Sequence, residues 1–164
     1  MEQSQLTSKS YFTSLKIIHF ALTAGVVFFM LISFALQFMG FEPELKEMEM
    51  ILLGITAFAA ISGIFTGNLL FRKRLEQLAE QKNLKDKLAG YQSALIIKFA
   101  LVEGTAFFSV VAYLLTANIL FPVITVLLVF VLVLFAPGKD KLISDLHLSK
   151  PETDVLNNPD AVIL

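Results

Sequence analysis

The sequence predicts an all-α fold, an integral membrane four-helix bundle with both termini on the cytoplasmic side. Three observations carry that expectation: a large apolar excess, four long apolar segments, and basic residues gathered in one connection. Hydrophobic residues fill 56% of the 164 positions and the mean hydropathy is +0.74, whereas ordinary globular domains are about 45–50% apolar. A soluble chain of this length would leave much of that surface in water. The net charge of −1 argues against a general nucleic-acid binder. The lack of cysteine excludes disulfides, thiolate metal sites and thiol catalysis.

Segments 15–39, 50–71, 94–115 and 119–136 each read as a membrane span, because a crossing helix needs about 20 mostly apolar residues. The last is at the short end of that range. The first is too long for a signal-peptide core and lacks a short basic start and a small-residue cleavage site, so it reads as a retained helix. Arg72, Lys73, Arg74, Lys82, Lys85 and Lys87 crowd the connection between spans two and three, while GFEPELKEME, between spans one and two, holds one lysine and four glutamates. Lys9 and Lys16 flank the first span, and Lys139, Lys141 and Lys150 follow the last. The excess of Lys and Arg marks the cytoplasmic side. It predicts a multi-pass protein of the bacterial inner membrane with both termini inside.

The basic connection is rich in helix formers, with Leu75, Leu78, Leu84 and Leu88. It should extend spans two and three beyond the bilayer, with a turn near 81–85 and a break at Gly90. Asn118 and Pro122 suit a tight turn and a helix start, so spans three and four should form a close hairpin. Pro137-Gly138 should end span four. The membrane domain is then 1–148, and 149–164 is expected as a flexible, solvated cytoplasmic tail, with a partner-docking peptide as the alternative. No internal repeat relates the two halves.

Helices in lipid associate through small residues and interhelical hydrogen bonds. Ala59, Gly63 and Gly67 repeat at four-residue spacing in span two, and Thr105 and Ser109 share a face of span three with Lys98. These are expected packing positions. His19 sits in span one without a second histidine in any span, so no histidine metal site is expected and no cofactor is implied.

Span three carries two ionisable groups, Lys98 and Glu103. With entry near Gln92, a rise of about 1.5 Å per residue puts Glu103 about 16 Å deep, near the middle of a ~30 Å hydrocarbon core. Lys98 is shallower and can snorkel on its long stem. At about 100° per residue the two diverge by about 140° around the helix and make a poor intrahelical pair. A charge at the bilayer centre costs roughly 2.5–3.5 kcal/mol on the cellular insertion scale. Glu103 must therefore be protonated, or face a partner such as His19 or Lys98, or face a thin water path. Glu103, Lys98 and His19 are the candidate ion-binding residues.

The run ALIIKFALVEGTAFF, residues 94–108, resembles the second helix of the rotor-ring c subunit of F-type ATP synthases. Ala94, Leu95, Ile96, Ile97, Ala100, Leu101, Glu103 and Ala106 fall on that family's pattern without a gap, and the likeness extends over 52–115. It implies that Glu103 binds and releases a translocated proton or cation. Lys98 stands where that family carries a small residue, and a charged segment replaces its short polar loop. LKIIHFALTAG and YQSALIIKFALVEGTAFFSVVAYLLTAN also resemble small four-span membrane proteins of Bacteroidota, over nearly the full chain, and this likeness implies the architecture without an activity.

An enzyme is not expected, because no nucleophile–base pair, phosphate-binding loop or metal cluster is visible. The leading reading is a structural or accessory subunit of a membrane assembly, in the lipid bilayer with copies of itself or another membrane-complex partner. The alternatives are proton or cation translocation by Glu103, and lipid or small-molecule binding between the helices.

Overall fold

A computed structural model describes residues 6–163. They form six α-helices: α1 (Ser8–Phe38), α2 (Glu49–Ala79), α3 (Leu84–Thr116), α4 (Leu120–Leu134), α5 (Lys139–Asp145) and α6 (Lys150–Asn157), with a 3-10 turn at Lys46–Met48 before α2. The all-α expectation holds, and among the described residues the one extended pairing is an isolated bridge between Thr7 and Val162.

Two of the long helices, α1 and α3, start on a side-chain cap. Ser10 N–H donates to Thr7 Oγ1 at 3.2 Å and Thr7 N–H to Ser10 Oγ at 3.0 Å, a reciprocal cap at the head of α1. Lys85 N–H donates to Asn83 Oδ1 at 2.8 Å at the head of α3. At its foot, Ala117 takes the left-handed conformation (φ 55°) and turns the chain into α4. Gly90 makes no break: it lies inside α3, and its bare Cα lets Leu78 of α2 pack closely.

Helices α1 and α2 have 31 residues each and α3 has 33. At about 1.5 Å per residue all three exceed a ~30 Å hydrocarbon core. All three are apolar enough to cross a membrane. The expected fourth span is shorter than the sequence implies. Helix α4 has only 15 residues, about 22 Å, and the chain turns by 75° into α5. Pro137 favours the stop, because it disfavours helical geometry at Ala136 and has no N–H to extend the helical ladder.

Helix α3 is the hub. It packs against α2, α4 and α1, whereas α1 and α2 scarcely touch. Phe99, Val102, Ala106 and Val110 of α3 are fully buried in that centre. The outer faces are the reverse: Phe20 is 72% exposed, Phe58 75% and Phe65 69%. An apolar belt of that extent is stable against hydrocarbon and not against water.

The C-terminal segment departs most from expectation. Residues 149–163 are docked, where the sequence reading expects a flexible, solvated tail over 149–164; Leu164 lies outside the described residues. Ser149 and Glu152 form a capping box that starts α6, with proline in its first turn. Leu156 and Ile163 are each 2% exposed and belong to the same buried core as Leu142 and Leu146 of the α5 region. The tail also completes α1, whose first N–H groups lack intrahelical acceptors. Ser8 N–H donates to Ala161 O at 3.2 Å and Lys9 N–H to Pro159 O at 3.1 Å. Ser8 Oγ donates to Leu156 O at 2.8 Å, and Ile163 N–H to Leu6 O at 2.8 Å. Lys87 Nζ pairs with Glu152 Oε1 at 2.7 Å, tying the tail to α3. Partial burial opposes the Glu152 charge, but hydrogen bonds from Lys87 and Ser149 outweigh it and hold the carboxyl below its ordinary value. The two ends of the described chain thus meet at one end of the bundle, beside the basic connection.

Candidate functional site

Three groups of polar side chains stand out within the long helices. The first is the seam between α2 and α3. A Cβ on Gly63 would lie 3.1 Å from Leu101 O and 3.3 Å from Thr105 Oγ1, and one on Gly67 would lie 3.4 Å from Lys98 O. Thr105 Oγ1 donates to Leu101 O at 3.1 Å and reaches Ala59 O across the seam at 3.4 Å. On the α4 side, Ser109 Oγ donates to Phe121 O at 2.8 Å. Small residues bring the backbones together, and hydroxyls then bond to carbonyls.

The second group is His19, whose Nε2 lies 2.8 Å from Leu132 O. A carbonyl only accepts, so Nε2 carries the proton. The ring stands edge-on to Phe99, with centroids 5.0 Å apart. His19 therefore ties α1 to α4.

The third group surrounds Lys98. Side chains on a helix lean toward its N-terminus, so Lys98 leans to the basic end of the bundle. Its ammonium lies 3.8 Å from the centroid of the Phe135 ring and 4.8 Å from that of Phe71, both within cation–π range. It opens into a chamber of about 330 Å³ whose polar lining includes Asn68, Arg72, Tyr91, Lys141 and Asp145. Tyr91 OH donates to Asp145 Oδ2 at 2.9 Å. Lys141 Nζ donates to Leu134 O at 2.9 Å and Ala136 O at 3.2 Å, closing the end of α4.

Glu103 belongs to none of these groups. Among the described residues it has no ion-pair partner, and it is half-buried. It lies one turn from Phe99 and one turn from Phe107, the residues of α3 that meet His19 and Phe29 of α1. On its other side runs a strip of α3 that no helix covers: Ser93, Ile97, Ala100, Gly104 and Val111 are all exposed. A Cβ on Gly104 would meet nothing within 4 Å. The structure therefore does not bring the three candidate ion-binding residues together. His19 is engaged with α4, Lys98 faces the basic chamber, and Glu103 edges the open strip. Among the described residues, no cluster of three or more His, Asp or Glu side chains is placed to hold a metal.

Sequence reasoning missed the chamber. Tyr91 and Lys98, two turns apart on one face of α3, were a readable signal; Phe135 and Asp145, brought in by the bend after α4, were not.

Three helices long and apolar enough to cross a bilayer, clad in exposed phenylalanine, isoleucine and leucine, define a helical membrane protein. Comparison with known protein families, curated protein sequences and solved structures gives no match.

Proposed function

We propose that this chain is a four-span protein of the bacterial cytoplasmic membrane, with both termini inside, that serves as a non-catalytic structural subunit assembling side by side with copies of itself. The open strip of α3 is its contact face. The bent α4–α5 pair serves as the fourth crossing. The meeting of the head of α1 with residues 156–163 beside the basic connection supports an even number of crossings between them and a cytoplasmic location for that end.

One observation carries the assembly role. Glu103, about halfway through the core, has no ion-pair partner among the described residues, beside exposed Ala100 and Gly104. A carboxyl at that depth is costly toward lipid, and small residues beside it let a second backbone approach to hydrogen-bond distance. A second α3, related by a two-fold axis, offers the same carboxyl and the same small residues in return. The chain has no cysteine, so single cysteines report this contact cleanly. Gly104→Cys is expected to form a disulfide dimer in native membranes under mild oxidation, while Phe20→Cys, on the lipid-facing surface of α1, stays monomeric. Equal cross-linking of the two would end the proposal.

A second reading keeps Glu103 as a proton or cation carrier, as the c-subunit resemblance implies. The outward position of Glu103, at the edge of a surface that a neighbour would cover, favours it. On this reading an imposed pH gradient across liposomes drives a proton flux that Glu103→Gln abolishes. On the first reading wild type and variant both stay at the level of empty liposomes.

A further inference from the structure

We infer that the Lys98 chamber binds one anionic glycerophospholipid, its phosphate on Lys98 and Arg72 and one acyl chain along α2. The site stands independently of assembly through α3, because it lies on the α2–α4 side of that helix.

Lys98 supplies the first argument. It is half-buried, and its ammonium rests on the Phe71 and Phe135 rings. Ring faces attract a cation but accept few of its hydrogen bonds. Among the described residues Lys98 forms no ion pair. Its three N–H donors are thus available to an anion entering the chamber. Arg72 and Lys141 line the same walls, so three cations face a single carboxylate, Asp145. Basic pockets between membrane helices at the cytoplasmic boundary suit anionic lipid head groups.

Position and shape supply the second. The chamber sits where α2, α3 and the α4–α5 bend leave the apolar belt, at head-group level for a bilayer centred on the belt. A second cavity, of about 610 Å³, shares Asn68 and Arg72 with it and continues along α2 past Leu69, Phe65, Ile64 and Ile61. From Arg72 to Ile61 is about 16 Å of helix, enough for a long stretch of acyl chain against apolar side chains. A polar, cationic chamber continuous with an apolar groove fits an amphiphile; a free anion would use only the first.

Asp145 narrows the head group. One of its oxygens accepts from Tyr91 at 2.9 Å, leaving the other to accept from the ligand. A phosphate beside two cations and a donor beside a carboxylate describe a phosphodiester head bearing a hydroxyl. Phosphatidylglycerol has that chemistry.

Native mass spectrometry of the purified full chain in neutral detergent, titrated with phosphatidylglycerol, tests the assignment. The expected result is one saturable lipid per chain, weakened by about tenfold or more in Lys98→Gln and in Arg72→Gln. Lys82→Gln, in the exposed α2–α3 turn, should bind as wild type. Phe65→Ala should weaken a long-chain lipid more than a short-chain one. Helical circular dichroism of each variant excludes loss of fold, and the exposed Arg72 keeps the test open should Lys98→Gln misfold. Wild-type binding by both charge variants would overturn the site. Equal binding of phosphatidylethanolamine would overturn the anionic assignment, and equally tight binding of glycerol 3-phosphate would overturn the amphiphile.

Discussion

Gly63→Leu is expected to lower the thermal unfolding midpoint in detergent and to loosen α2 from α3, while Gly54→Leu leaves both in place. The difference lies in what each side chain meets. At Gly63 the first carbon would already press on the Leu101 carbonyl oxygen at 3.1 Å and on Thr105 Oγ1 at 3.3 Å, whereas at Gly54 nothing lies within 4 Å. Backbone cannot yield as a flexible side chain does. The helices must part, and Thr105 then loses its reach to Ala59 across the seam. Overpacking of this kind costs about 1–3 kcal/mol. A label pair on α2 and α3 should show greater separation in the first variant only. An unchanged distance and midpoint in Gly63→Leu would mean that the seam is looser than described.

The second large effect is in the tail. Leu156→Asp should release residues 149–163 and fray the start of α1. A buried leucine contributes roughly 1.5–3 kcal/mol, and a carboxylate in its place adds a desolvation penalty. Amide hydrogen exchange should rise in α6 and also at Ser8 and Lys9, whose N–H groups the tail accepts. Faster exchange in α6 alone would contradict the shared hydrogen bonding. Acid should act in the same direction through Glu152. Its carboxyl titrates below the ordinary 4.5 in the docked state. Its contribution is therefore present above that ordinary value and is lost as pH falls through the lower one. Protection factors in α6 should drop in that window for wild type, and show no such drop in Glu152→Gln.

The sequence disclosed the long helices because hydropathy is a local property, and a run such as 94–115 cannot be hidden. Length was harder. The apolar run at 119–136 looks like a span, but Pro137 acts on the residue before it, and the helix stops at Leu134. The tail was illegible for another reason. Ser149 and Glu152 form a readable capping box, yet what holds the tail is Leu156 against Ser8 and Ile163 against Leu6, at the far end of the chain. Period and composition do not report contacts of that separation.

The site divides along the same line. Glu103 and Lys98 stood out as ionisable groups in an apolar run, and helical geometry alone placed them on different faces. Their surroundings came only with the fold. Phe135 and Asp145 reach Lys98 through the 75° turn after α4, and the strip beside Glu103 is open only because α1 and α2 stay apart.

The most direct test of the account is the mass of the wild-type protein in nanodiscs or native membrane vesicles, set beside Glu103→Leu and Gly104→Leu. Glu103 makes no ion pair among the described residues and a Cβ on Gly104 meets nothing within 4 Å, so helicity and thermal midpoint should hold. A defined oligomer for wild type, and single chains for both variants, is the result the account predicts. A wild-type protein that is a single chain under these conditions, or variants that assemble as wild type does, would contradict it.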